Sequence, residues 1–324
     1  MLESIATPQL WVISIVVLVA LLVADFFVTR KPHDVPMREA VGWSVFYLTL
    51  PAVFGLVLWW VYGSTPAIEF FTGFVVEKSL SVDNLFVFML LLASFAVPSA
   101  LAQRVLLYGI AGALVLRGVF IAAGAAVLQA GTWAFLLFGA VLLVTAIKVM
   151  RDAMRGEDHQ VDIDQMRSVR LMRRFFPVTK EYHGDKLTVR QAGRRALTPL
   201  AVVVVAVFMT DIVFAVDSVP AVYGVTEDPY LVFATNAFAL MGLRALYFVL
   251  RNVLDKLRHL NYGLAVILAF IGVKLVLHWA HGVWPSLPEV PTLASLGVIA
   301  LTLITVTITS LVANRRDEAR QLVG

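Results

Sequence analysis

In a chain of 324 residues with mean hydropathy +0.85, 60% of residues are hydrophobic and only 15% charged. Soluble domains carry about 25% charged residues, so this is the composition of an integral membrane protein with no separate soluble domain. The lack of cysteine excludes disulfides, thiolate metal centres and thiol redox catalysis, and the formal charge of +4 does not call for nucleic acid because its basic residues sort by loop.

Apolar runs of about 20 residues recur along the chain, the length a helix needs to cross a ~30 Å hydrocarbon core. The first, 10–28, is preceded only by Glu3 and followed by Arg30 and Lys31. That charge order is the reverse of a secretory signal, so it is read as a retained helix, with Asp25 inside it. Spans at 43–61, 69–95, 104–128 and 133–150 follow, carrying Glu77, Lys78 and Asp83 on the third, Arg117 on the fourth and Lys148 on the fifth. The segment 151–198 is too polar to span and forms a basic cytoplasmic loop. Its acidic stretch, Glu157 to Asp164, reads as a solvated loop before a metal sensor, and Arg167–Pro177 suits an interfacial amphipathic helix beside anionic lipid. Spans at 199–224 (Asp211, Asp217), 231–251 (Arg244), 262–279 (Lys274) and 294–312 complete a set of nine. His278 and His281 read as an interfacial pair.

Lys and Arg occupy every second loop: Arg30, Lys31 and Arg38; Arg104; eleven residues between Arg151 and Arg195; Arg251, Lys256 and Arg258; and Arg315, Arg316 and Arg320. The alternate loops hold none, which places the N-terminus outside and the C-terminus in the cytoplasm. Tyr62, Trp133, Trp279 and Trp284 then fall at the outer interface.

Each charge at the bilayer centre costs about 2.5–3.5 kcal/mol, so the intramembrane set must face itself or water. Its spacing repeats. The third span reads Glu77-Lys78-Ser79-Leu80-Ser81-Val82-Asp83-Asn84 and the sixth Asp211-Ile212-Val213-Phe214-Ala215-Val216-Asp217-Ser218. Each pair of carboxylates six apart is followed by a helix with an arginine and a helix with a lysine. Because the two units enter from opposite sides, 69–150 and 199–280 form an inverted repeat of three helices each, spans 3–5 and 6–8, whose site would lie at the midplane. Residues 1–61 and 294–324 are peripheral. Carboxylates six apart stand about 240° round an ideal helix, so aiming both at one ion requires a bend, for which Pro220 provides a cause. The candidate ligands are Asp83, Asp217, Glu77, Asp211, Asn84, Ser218 and Asp25, an all-oxygen set suited to hard divalent cations. Arg117, Arg244, Lys148 and Lys274 balance charge. The plainer alternative is that acids and bases only pair to hold the bundle together.

The two quoted stretches, extended by Val219-Pro220-Ala221, by Gly242-Leu243-Arg244-Ala245-Leu246-Tyr247-Phe248 and by Gly272-Val273-Lys274, resemble the signatures of the TerC family, closest to its Alx branch, over nearly the whole chain. The resemblance implies a multi-pass protein of the bacterial inner membrane concerned with manganese export. It also brings a "redox modulator" label, for which this chain has no thiol. Relatives commonly carry a glutamate three residues before the aspartate matching Asp211; Phe208 stands here instead.

Expelling a divalent ion against an inside-negative potential costs about 4.6 kcal/mol per 100 mV, twice the ~2.3 for one charge. No Walker motif is present, so exchange for protons is the expected energy source. No enzymatic activity and no resident cofactor are expected: Mn²⁺ is cargo, with Ca²⁺ or another hard divalent next in order. The expected partners are the lipid bilayer, the metal ion and protons, with homo-oligomerisation open and nucleic acid excluded. The alternatives are a metal-binding sensor or chaperone without transport, an organic-cation or amino-acid exporter, and an intramembrane acid–base enzyme, which inverted symmetry disfavours.

Overall fold

In hydrocarbon a segment must close its own backbone hydrogen bonds, and long runs of Leu, Val, Ala and Ile do so as helices. The computed structural model describes residues 4–28, 36–155, 177–179, 181–191, 194–250, 259–284, 286–288 and 290–321; the side chains of Val82, Asp83, Phe86, Ser99, Leu250 and of 191, 194–195 and 315–321 also lie outside the described residues. The stretches 157–164 and 167–176 considered above fall outside it as well.

The helices are α1 (Pro8–Val28), α2 (Met37–Tyr62), α3 (Ser64–Ser94), α4 (Ser99–Gln129), α5 (Trp133–Arg155), α6 (Pro199–Tyr223), α7 (Pro229–Met241), α8 (Leu243–Leu250), α9 (Leu260–Val283) and α10 (Thr292–Gln321), with a hairpin of β1 (Thr188–Gln191) and β2 (Arg194–Leu197) before α6. Eight segments are long and apolar enough to cross a membrane, α7 and α8 counting as one. The charge-bearing α3 does not meet that test of composition, although its 31 residues extend for about 46 Å.

Two expectations are corrected. The seventh span is not one helix: it ends at Met241 and restarts at Leu243, with Gly242 between. A β-carbon on Gly242 would stand 3.0 Å from the Lys78 ammonium and 3.4 Å from Tyr47 Cβ, so a side chain there would press on Lys78. Nor is the end of the 151–198 loop irregular: β1 pairs antiparallel with β2, Val189 opposite Ala196, and Thr198 caps α6 by accepting from the Ala201 amide at 3.4 Å. Several helices also outrun their predicted ends, because hydropathy marks only the part in hydrocarbon.

Tight junctions set the packing. Gly63 (φ +91) turns α2 directly into α3. The Asp228 carboxylate caps α7 through the Tyr230 amide (2.8 Å) and also accepts from Ser4 Oγ (2.7 Å) and the Ile5 amide (2.8 Å), tying the N-terminus to the α6–α7 turn. Helix α5 lies along α9, where β-carbons on Gly139 and Gly272 would approach each other's carbonyl oxygens at 2.9 and 3.1 Å. Helix α3 packs on α7 and α6, and α4 on α6 and α7.

Two large apolar clusters fill the interior. One contains Val76, Leu80, Ile121, Val219 and Val232, and the other Leu85, Ala113, Val207 and Leu240. On α4, α6 and α7 the boundary between clusters is where a polar residue falls: Arg117, Asp211 and Asn236 respectively, with Glu77 beside them on α3.

Candidate functional site

Arg117 sits in that belt with no solvent exposure. Its Nη1 donates to Glu77 Oε1 and, at 2.8 Å, to Asn236 Oδ1, while Nη2 donates to Asp211 Oδ1 at 3.3 Å. Glu77, Asp211 and Asn236 are likewise at most 1% exposed. Four helices, α3, α4, α6 and α7, thus meet on one guanidinium. Two carboxylates against one guanidinium leave a formal charge of −1 if all three are ionised, and burying unbalanced charge is costly. Glu77 Oε2 and Asp211 Oδ2 have no hydrogen-bond partner among the described residues, and neither do Ser81 Oγ, Asn84 Nδ2 and Ser218 Oγ. The Lys78 ammonium, next along α3, donates to the carbonyl of Ala239 in the last turn of α7 at 3.1 Å, where the helix dipole favours a cation.

The other predicted residues are distributed around this belt. Asp217 accepts from Thr145 Oγ1 of α5 at 2.8 Å, so Asp211 and Asp217 address different neighbours from one α6 helix that runs unbroken past both. Pro220, the expected cause of a bend, lies inside the final turn of this helix. The side chain of Asp83 is outside the described residues. Asp25 pairs with Arg244, whose guanidinium lies 5.9 Å from the Trp43 ring centroid, at the packing of α1, α2 and α8. Arg117 and Arg244 therefore have unlike partners, and the α7 residue facing Arg117 is Asn236. Lys148 is exposed on α5, while Lys274 lines a cavity. Among the described residues no group of three or more His, Asp or Glu is arranged to hold a metal. Phe208 packs its ring on α4, 2.8 Å from where a β-carbon on Gly112 would stand.

The cavity, about 1030 Å³, opens at the end that carries the base-free loops and is lined by Glu69, Thr226, Glu227, Asp228, Lys274 and His278 among others. Thr226 Oγ1 donates to Glu69 Oε2 at 2.7 Å, and His278 Nε2 lies 3.4 Å from Glu227 Oε1. The opposite end is covered. Tyr182 Oη donates to the Phe95 carbonyl at the C-cap of α3 at 2.7 Å, Arg104 pairs with Asp185 at 3.0 Å, and Val178, Tyr182 and Leu187 pack on the second apolar cluster. Burial pushes the Tyr182 hydroxyl above its ordinary pKa, so the donated proton is retained.

Sequence reasoning passed over Glu69, Asn236, Thr145 and Gln103. Glu69 began the predicted third span and was not counted as intramembrane. The other three are neutral, and the available signal was a lone amide or hydroxyl in an apolar run.

The profile of the family described as "Integral membrane protein TerC family" matches residues 62–318. Alx of Salmonella typhi, named a membrane-bound redox modulator, is 39% identical over 98% of this chain and 98% of its own. An uncharacterized membrane protein of Mycobacterium tuberculosis is 43% identical over 85% of this chain and 70% of its own, and one of Myxococcus xanthus is 37% identical over 96% and 95%. No solved structure matches.

Proposed function

Starting from a chain that belongs to the TerC family of integral membrane proteins, we propose that it is a secondary transporter that exports a hard divalent cation, Mn²⁺ first and Ca²⁺ next, in exchange for protons. The observation that carries this reading is the buried Glu77–Arg117–Asp211 group, with a formal charge of −1 and two orphaned carboxylate oxygens. A structural ion pair needs only one carboxylate; the second, unbalanced one is what a transported cation or a proton would neutralise.

The packing supports an inverted repeat. Exchanging α3, α4 and α5 for α6, α7 and α9 turns the α3–α7 contact into α6–α4 and the α5–α9 contact into itself. Glu77 and Asp211, equivalent in the two sequence motifs, then meet on one arginine where the repeats join. In this reading Asp83 and Asp217 coordinate the ion with oxygen from Asn84 and Ser218, and Glu77 and Asp211 assist or carry protons. Arg117 holds the carboxylates in place when the ion is gone. Protonation releases the ion and ionisation recaptures it, a cycle that needs no catalytic residue and no nucleotide.

A second reading, of a metal-binding sensor or chaperone without flux, draws on Phe208, whose ring fills the α4 groove one turn from Asp211. Purified protein in liposomes separates the two. Radioactive Mn²⁺ is expected to move in response to a pH gradient, and Asp211→Asn or Asp217→Asn to abolish movement. Metal binding without flux in the unmodified protein would favour the second reading; full flux in both variants would dismiss these carboxylates as carriers.

A further inference from the structure

We infer that Ser81, Asn84 and Gln103 line the cytoplasmic access route to the central belt, and that the segment carrying Tyr182 and Asp185 is the gate that closes it. This inference rests on the transport reading for its purpose but on independent observations for its geometry.

Gln103 is 1% exposed and neither its amide nitrogen nor its amide oxygen has a partner among the described residues. A fully buried primary amide with both ends unmet is rare, because each end gives up water for nothing. Ser81 Oγ and Asn84 Nδ2 are orphaned in the same way, at 0% and 3% exposure. The three are aligned. Ser81 and Asn84 lie four and seven residues beyond Glu77, within about 40° of it round α3. Gln103 lies fourteen residues before Arg117, again about 40° away round α4, and about 21 Å further toward the base-rich end. From the Glu77–Arg117 contact the polar face continues toward that end along α3 through Ser81 and Asn84, while on α4 the apolar Ala113, Ile110 and Leu106 separate Arg117 from Gln103.

Directly beside Gln103 in sequence, Arg104 pairs with Asp185, and Tyr182 holds the C-cap carbonyl of α3. Over this end lies a lid fastened to α3 and α4 by the Tyr182 hydrogen bond, the Arg104–Asp185 pair and the apolar contacts of Val178, Tyr182 and Leu187, and hinged to the head of α6 through Thr198, which donates to the Lys186 and Leu187 carbonyls. Asp185 is nearly half exposed (46%), so its ion pair adds little to the fastening. With the lid displaced, water reaches Gln103, Asn84 and Ser81 and satisfies them. Their oxygens then offer a partly dehydrated cation successive partners on its way to Glu77 and Asp211.

The chain has no cysteine, so a Gln103→Cys protein carries one thiol. Its labelling by a membrane-impermeant thiol reagent is measured in oriented vesicles, alone and combined with Tyr182→Ala and Asp185→Ala. The expected result is labelling from the cytoplasmic side only, about tenfold faster when the lid contacts are removed. Equal rates with and without those contacts, or labelling from the outer side, would overturn the inference. Should Gln103→Cys fail to fold, Asn84→Cys gives the same readout. Gln103→Leu, which fits the surroundings but offers no polar partner, is expected to lower Mn²⁺ flux severalfold without changing the thermal midpoint. Unchanged flux in Gln103→Leu would remove Gln103 from the route. Absence of flux in the unmodified protein together with lid-dependent labelling would reject the transport reading and leave the gated route standing.

Discussion

At the scale of single residues, the central question is what Arg117 contributes. Among the described residues it is one of the largest fully buried side chains, and its guanidinium is the only cation in contact with Glu77 and Asp211. Arg117→Gln leaves two carboxylates facing each other in a low-dielectric interior, and removing one partner of a buried pair costs about 3–5 kcal/mol. The thermal midpoint of detergent-solubilised Arg117→Gln protein is therefore expected to fall sharply. Adding Asp211→Asn to it should recover most of the loss, because one amide then faces one acid. A double variant no more stable than Arg117→Gln alone would mean that Arg117 acts through packing and not charge. The acids of this site were legible in the sequence, since ionised groups inside apolar runs are conspicuous and their six-residue spacing repeats. Arg117 was named among their counter-charges, but their neutral partners were not legible. Asn236 and Thr145 are neutral residues whose significance comes only from which helix faces which, and the spacing argument matched Arg117 with Arg244 although the latter turns outward to Asp25.

Among the elements, the α5–α9 seam tests whether close backbone approach holds these two helices together. A β-carbon on Gly139 would stand 2.8 Å from Val276 and 2.9 Å from a backbone oxygen of α9, which has little room to yield. Gly139→Leu is expected to destabilise by about 1–3 kcal/mol through overpacking. Gly118 of α4 has nothing within 4 Å of its would-be β-carbon, and Gly118→Ala should stabilise by about 0.5–1 kcal/mol through reduced backbone entropy in the unfolded chain. Equal effects at both positions would show that helix propensity and not seam geometry decides. Most helices were legible because hydropathy reports burial in hydrocarbon. The break at Gly242 was not, since no proline marks it and it answers to Lys78 and Tyr47, distant in sequence. The β1–β2 hairpin was hidden because four-residue strands of mixed charge, Thr188–Gln191 and Arg194–Leu197, give no period strong enough to stand against a loop.

The whole molecule is asymmetric along its length, with an open acidic cavity at one end and a fastened lid at the other. Glu69, Glu227 and Asp228 line the cavity with Lys274, so three negative charges and one positive leave −2 with His278 neutral. A concave mouth of that sign concentrates cations from solution through its field. The consequence is a specific dependence on salt. In reverse flux, with Mn²⁺ supplied from the cavity side, Glu69→Gln combined with Glu227→Gln should weaken its capture severalfold at low ionic strength, with the maximal rate unchanged. At about 1 M salt, where the Debye length falls to ~3 Å, the variant and the unmodified protein should converge. Measuring the half-saturating Mn²⁺ concentration in vesicles at the two ionic strengths decides the matter. A loss that persists in high salt would assign Glu69 or Glu227 a direct contact with the ion, and would add a binding step in the cavity between the central belt and the outside.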